Sequence, residues 1–294
     1  MEKNLSALGF MSGTSGDGVD SSVISSNGKD SILIKYNRFD AYPSKLSNKI
    51  HRIKEKISKM QDLLKYSSNI EELEREITDF HFDIAIKISK QVNYDLIGFH
   101  GHTIYHNADE KISKQIGLGK SLSNKTNKTV VYDFRQNDIK NGGEGAPLAP
   151  IYHLALIKTL FRDSKVKTPI SILNIGGIAN ITEIDKNFKI TSRDIGPGNC
   201  LIDKWMRKNS NKSFDKDGNF AIKGKTDKFI FDQYMDNYYY SRINSRRSLD
   251  TTDFDISFAK GLSLENGATT ITDLTSELLS KKIGKNDIYV CGGG

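Results

Sequence analysis

The sequence predicts an α/β protein built from two similar halves, residues 1–165 and 166–294, each a domain with its own sheet. Three observations predict it. Each half opens with three short β-rich runs and continues into helical periodicity and a further strand. Each half also places a glycine turn between its first two strands. Finally, this meander-helix-strand order differs from the βαβ alternation of a Rossmann domain. Two glycine hairpins of this kind are expected to face each other across an interdomain cleft.

In the first half, Leu5–Met11, Val19–Ser25 and Ser31–Phe39 are the strand candidates, separated by turns at Gly13–Gly18 and Asn27-Gly28-Lys29-Asp30. Leu46, Ile50, Ile53, Ile57 and Met60 recur at three- and four-residue spacing and predict one helix. Ile70, Leu73, Ile77, Phe80, Ile84 and Ile88 predict a second. A short strand follows at Asp95–Phe99, then a polar loop, a strand at Thr129–Phe134 and a helix from about Pro147 to Phe161, with proline where helix entries tolerate it. In the second half the strand candidates are Pro169–Asn174, Ala179–Ile184 and Phe188–Arg193, with Gly176-Gly177 in the first turn. Helices are expected near Asn199–Lys208, Lys228–Asn237 and Asn266–Lys281, before a strand at Asp287–Cys291.

The 294 residues are 37% hydrophobic and 27% charged, the composition of a soluble globular protein with a sizeable core. There is no apolar run of membrane-spanning or signal-peptide length, so the expectation is a cytoplasmic protein without a membrane partner. Cys200 and Cys291 are far apart and form no CxxC, which fits reduced structural thiols. The net charge of +7 is spread along the chain, and the densest cluster, Lys45, Lys49, Arg52, Lys54, Lys56 and Lys59, follows a helical pattern. That cluster is read as a solvated helix face rather than a nucleic-acid footprint, although the overall field would gather anionic small molecules.

The richest segment is Gly9-Phe10-Met11-Ser12-Gly13-Thr14-Ser15-Gly16-Asp17-Gly18-Val19-Asp20. Glycines let a backbone approach an anion closely, and the main-chain N–H groups and the hydroxyls of Ser12, Thr14 and Ser15 can donate to phosphate. An ordinary hairpin has the same composition. Asn174-Ile175-Gly176-Gly177-Ile178-Ala179-Asn180 is a second such turn, open to the same two readings. In Arg193-Asp194-Ile195-Gly196-Pro197-Gly198-Asn199 an acidic residue ends a strand and a Gly-Pro-Gly turn opens a helix. Asp194 could take a proton from a water or hydroxyl held within about 3 Å, or simply cap the helix. His100-Gly101-His102-Thr103 offers hydrogen-bonding groups for a sugar, or a zinc pair with Asp133 as third ligand. Arg135 presents a planar fork for a carboxylate, or a surface pair with Asp138.

Together, in this order and across essentially the whole chain, these motifs resemble the anhydro-N-acetylmuramic acid kinase family of the acetate and sugar kinase/Hsp70/actin superfamily. The resemblance rests on Met11 to Asp20, His100 to Thr103, Asp133-Phe134-Arg135 through Gly145-Ala146-Pro147-Leu148, Asn174 to Asn180, Asp194 to Asn199, and Cys291-Gly292-Gly293-Gly294. It implies a two-domain actin-like fold, a ribonuclease H-like unit duplicated around an interdomain cleft. It further implies a peptidoglycan-recycling reaction: ATP, water and 1,6-anhydro-N-acetylmuramic acid give N-acetylmuramic acid 6-phosphate and ADP. By the same resemblance Asp194 is the catalytic base. Gly13, Thr14, Ser15, Gly16, Asp17, Gly18, Val19, Asp20, Gly176, Gly177, Gly292 and Gly293 grip the nucleotide. His100, Thr103, Arg135 and Asn199 contact the sugar, with Arg135 on its lactyl carboxylate. ATP and Mg²⁺ are the expected cofactors, the metal ligands are unassigned, and a homodimer is an open expectation.

The chain departs from the family where His102 and Glu144 replace a usual Gln and where Ile195 replaces a usual Thr, so altered sugar contacts are expected. It also stops at Gly294, directly after a strand, whereas family members continue. The chain is therefore expected to be C-terminally shortened, and the alternative to the kinase reading is an inactive sugar- or nucleotide-binding remnant of such a kinase. The same residues would also suit a related amino-sugar kinase, or a metal-dependent hydrolase centred on His100 and His102.

Overall fold

The computed structural model describes residues 4–13, 15–107, 110–240 and 249–293, and the chain divides into two compact units, 1–167 and 168–294. Thr14, one of the expected phosphate contacts, lies outside the described residues.

Unit 1 opens with β1 (Leu5–Ser12), β2 (Gly18–Ser26) and β3 (Ile32–Ala41), an antiparallel meander. After the helices α1 (Ser44–Lys56), α2 (Met60–Lys65) and α3 (Ser67–Ser89), β4 (Leu96–Asn107) runs parallel to β1. The short strand β5 (Ile112–Ile116) pairs antiparallel with the far half of β4, and β6 (Thr129–Tyr132) pairs parallel with its near half. The helices α4 (Gly119–Thr126), α5 (Phe134–Lys140) and α6 (Pro150–Arg162) complete the unit. Leu8, Phe10, Val19 and Val23 of the meander and Ile97 and Phe99 of β4 form one core with Ile50, Ile53, Ile77, Ile84 and Ile88, the inward stripes of α1 and α3. The basic face of α1 is solvated as expected, and its Lys49 donates to Glu72 at 2.7 Å and Glu76 at 2.5 Å on α3.

Unit 2 repeats the plan. The meander β7 (Ile170–Ile175), β8 (Ile178–Ile184) and β9 (Ile190–Pro197) is joined by β10 (Asp287–Gly292), parallel to β7. Between them lie α7 (Cys200–Asn209), α8 (Lys228–Tyr240) and α9 (Leu264–Ser280). Among the described residues the sheet orders are β3-β2-β1-β4, extended by β5 and β6, and β9-β8-β7-β10. Both are a meander whose first strand is flanked by a parallel fourth, the order of the duplicated ribonuclease H-like unit. The mixed α/β class and the duplication therefore match the expectation.

Several boundaries move. Met60 belongs to α2, because the chain leaves helical geometry at Ile57, whose N–H closes α1 on Lys54 O. Pro147 does not start the helix: Pro150 takes the first helical position instead. The polar loop expected after Phe99 is the continuation of β4, buried and paired with β5.

Burial of His81 makes unit 1 sensitive to acid. Its ring packs edge-on against Phe10 and Phe99, Nδ1–H donates to Ile77 O at 2.7 Å, and desolvation holds its pKa down to about 4. An unfolded chain takes up this proton near the ordinary value of 6.5, the folded chain only near 4. The stabilisation is thus complete above about pH 6.5 and lost as pH falls toward 4, a contribution of about 3 kcal/mol from the shift alone. Urea unfolding midpoints are expected to fall steadily from pH 7 to pH 4.5, and His81→Phe is expected to lessen that fall by the His81 share, His100 and His102 of the same unit keeping theirs.

Candidate active site

In unit 1 the turn after β1 is closed by Gly16 N–H donating to Gly13 O at 3.0 Å. Ser15 Oγ donates to Asp17 Oδ1 at 2.6 Å, Ser47 Oγ of α1 to Gly16 O at 2.7 Å, and Tyr42 N–H to Asp17 O at 2.8 Å. The turn is therefore tied from behind by the start of α1. Its base is a buried trio: Tyr42 Oη donates to Ser12 Oγ at 2.9 Å, and Ser12 Oγ shares a 2.8 Å hydrogen bond with His102 Nδ1. Burial keeps His102 neutral, with its pKa well below the ordinary value, and among the described residues its Nε2 has no partner. Val19 points into the core, while Asp17 and Asp20 are exposed, and partial desolvation and then the charge of Asp17 raise the Asp20 pKa. Tyr42 was not foreseen, because nothing local marks a tyrosine after β3 as the support of a turn formed by the strands before it.

The second cluster of unit 1 is built on β4. Gly101 has φ +72°, and a Cβ there would stand 2.5 Å from Ile116 O, so this close pass of β4 against β5 requires glycine. His100 lies just before it, and its Nδ1–H donates to Gly101 O at 2.8 Å. Arg135 sits in the first turn of α5, which Gln136 ties to β5 by donating to Ser113 O at 2.8 Å. Arg135 Nε donates to His100 Nε2 at 3.1 Å. Both ring nitrogens of His100 are thereby engaged by protein, which removes the lone pair that a zinc site would need. Among the described residues no group of three metal-ligating side chains comes together. Asp138 accepts Gly145 N–H at 2.8 Å. Thr103 is buried and its hydroxyl accepts from Gln115 Nε2 at 3.2 Å, so its polar atom is directed to β5.

In unit 2 three glycine bends meet. Gly198 N–H donates to Gly177 O at 3.0 Å, Asn199 N–H to Gly176 O at 2.8 Å and Cys200 N–H to Gly177 O at 3.1 Å. A Cβ at Gly198 would lie 2.1 Å from Gly176 O, an approach that excludes every other residue. Gly293 N–H donates to Ile175 O at 3.1 Å, and a Cβ on Gly293 would stand 3.9 Å from Asn199 Nδ2. The structure thus groups Gly176, Gly177, Asn199, Gly292 and Gly293 at the ends of β7 and β10 and the entry of α7.

Asp194 is placed differently from the expectation. It lies within β9, three residues before the strand's end, opposite Asn180 across an irregularity in the β8 register. The cap of α7 is Asn199, five positions on, so Asp194 does not cap that helix. The residue is 7% exposed, and Oδ2 accepts the backbone N–H of Leu249 at 2.8 Å. The strand runs on through Gly196-Pro197 because β9 is an edge strand, where a residue without an N–H is tolerated. Leu249 gave no sequence signal, since it acts only through its main chain.

A duplicated ribonuclease H-like α/β topology with glycine turns after the first strand of each unit defines the class to which this chain belongs. A family model described as anhydro-N-acetylmuramic acid kinase matches residues 5–294, and the chain belongs to that family. It is 44% identical over 307 aligned residues to the anhydro-N-acetylmuramic acid kinase of Pelagibacter ubique, covering 100% of this chain and 81% of the relative. With the enzyme of that name from Agrobacterium fabrum it shares 35% over 298 residues, covering 98% and 79%. Among solved structures it is similar to the PPX-GPPA enzyme of Aquifex aeolicus, with a TM-score of 0.39 at 10% identity over 99% of this chain and 97% of that one.

Proposed function

We propose that the chain is an ATP-dependent phosphotransferase acting on an alcohol group, which opens the 1,6-anhydro ring of anhydro-N-acetylmuramic acid and phosphorylates O6 in peptidoglycan recycling. Membership of the family, with 44% identity over the whole chain, is the single observation that carries the reading. Asp194 acts as general base: its carboxylate takes a proton from a water whose oxygen bonds to the anomeric carbon as the C1–O6 bond breaks. The released O6 bonds to the γ-phosphorus of ATP, the bridging P–O bond breaks, ADP leaves, and Asp194 gives its proton to solvent. Burial of Asp194 and the Leu249 N–H on one of its oxygens support this role, since they hold the acceptor in one orientation.

The bends at Gly13 to Asp20 in unit 1 and at Gly176, Gly177, Gly292 and Gly293 in unit 2 are the phosphate contacts of the nucleotide, a reading supported in unit 2 by the hydrogen bonds that Gly198, Asn199 and Cys200 donate to Gly176 and Gly177. Thr14 remains part of this set by its place in the motif, and Asn199, whose N–H donates to Gly176 O, stays a sugar contact. Asp17 and Asp20, both exposed beside the unit 1 turn, would supply carboxylate oxygens to a magnesium ion. When bound, Mg²⁺ supplies neutralisation of phosphate charge. Arg135 receives the lactyl carboxylate, and Thr103 stays a weaker candidate for a sugar hydroxyl. The reading places the protein in the cytoplasm with ATP; among the described residues no helix is long and apolar enough to cross a membrane.

A coupled ADP-release assay with the anhydro sugar tests the reading, with sugar-dependent turnover and a phosphorylated product expected. No sugar-dependent ADP from well-folded protein contradicts it and favours an inactive, ligand-binding remnant. The Tyr42–Ser12–His102 trio yields a further expectation. His102→Ala removes one of the two partners of Ser12 and is expected to raise the KM for ATP about three- to tenfold, the effect of one lost buried hydrogen bond. His102→Gln, whose amide can still meet Ser12, is expected to stay near the parent value.

A further inference from the structure

The hydrogen bonds of His100 determine its tautomer. A backbone carbonyl can only accept, so the 2.8 Å contact with Gly101 O places the ring proton on Nδ1. A guanidinium can only donate, so the 3.1 Å contact from Arg135 Nε requires a lone pair on Nε2. The two demands agree on one neutral form, and that form is reinforced by its surroundings: burial, then the charge of Arg135, holds the His100 pKa down to about 4. Because the guanidinium is rigid and planar, orienting Nε orients Nη1 and Nη2 as well. The residues that fix this geometry are themselves constrained, Gly101 by its pass against Ile116 O and α5 by Gln136 on Ser113 O.

We propose that His100 is a positioning residue for Arg135, holding the guanidinium so that its Nη edge meets a sugar carboxylate, and that this pair sets a preference for acidic over neutral anhydro sugars. The direct contact with sugar hydroxyls expected of His100 gives way to this role, since both its nitrogens are committed to protein. The inference rests on the kinase reading for its substrate but on the hydrogen-bond pattern alone for the pair.

The test compares the anhydro-N-acetylmuramic acid with 1,6-anhydro-N-acetylglucosamine, which lacks the lactyl carboxylate. His100→Leu is expected to raise the KM for the acidic sugar about tenfold with kcat changed less than about threefold, and to leave kcat/KM for the neutral sugar within about twofold. His100→Gln, whose carboxamide oxygen can accept from Arg135 Nε, is expected to recover most of the loss. In the unsubstituted protein, ¹⁵N shifts of the His100 ring at pH 7 are expected to report the neutral Nδ1–H form. An Nε2–H ring, or equal losses on both sugars in His100→Leu, overturns the proposal. Absence of turnover with both sugars overturns the kinase reading and the sugar preference with it, and the ring shifts distinguish that failure from failure of the His100–Arg135 pair.

Discussion

Asp194→Asn is expected to lower sugar-dependent turnover by about a thousandfold, within the range that a positioned general base contributes, while changing the KM values for sugar and ATP only a few-fold. The substitution keeps the shape of the side chain and one carbonyl oxygen, so the Leu249 N–H retains an acceptor and the fold of unit 2 is expected to persist. Asp194→Ala separates chemistry from support. It leaves a buried backbone donor unpaired at a cost of about 1–3 kcal/mol, so a lowered melting temperature is expected in addition to lost turnover. An Asn variant with full activity removes Asp194 from the mechanism, and an Asn variant that unfolds reduces it to a structural residue.

The second large effect is expected at Gly198. Its hypothetical Cβ would lie 2.1 Å from Gly176 O, a backbone atom that cannot turn aside. Gly198→Ala therefore pushes the β7–β8 turn away from the entry of α7 and breaks the three hydrogen bonds that Gly198, Asn199 and Cys200 donate to Gly176 and Gly177. Overpacking of this kind costs about 1–3 kcal/mol, and the lost alignment of N–H groups is expected to weaken nucleotide binding by about tenfold or more. Calorimetric titration with ADP measures it. Unchanged affinity would mean that the braced bends of unit 2 do not hold the nucleotide. Gly218→Ala is a suitable comparison, because nothing lies within 4 Å of a Cβ there and the strain of its positive φ is local.

The meanders and the long helices were legible because their residues are apolar at the period of the element: Ile70, Leu73, Ile77, Ile84 and Ile88 face one way on α3, and all are buried. The second half of β4 was not, since His100, His102, Thr103, Tyr105 and His106 look like loop residues. They are accommodated in a strand because their polar atoms meet partners such as Ser12, Ser113, Gln115 and Arg135. With that segment resembling a loop, its partner β5 could not be recognised, being five residues long with Lys114 and Gln115 in it. α4 and α5 are short and mostly polar, and their existence depends on packing rather than on pattern. The glycine bends were visible as motifs, yet which of them touch is a matter of main-chain contact between distant segments. Asp194 was recognisable as a chemical group, but its place inside β9 depends on β8 drawing Gly196 and Pro197 into the ladder.

In the proposed reaction Asp194 directs water at the anomeric carbon while O6 takes the phosphoryl group. A single turnover in ¹⁸O-enriched water, quenched promptly and read by mass spectrometry, tests this most directly. One ¹⁸O is expected in the sugar, at C1, and none in the transferred phosphoryl group. Label in phosphate, with ADP formed and the anhydro ring intact, would contradict that chemistry.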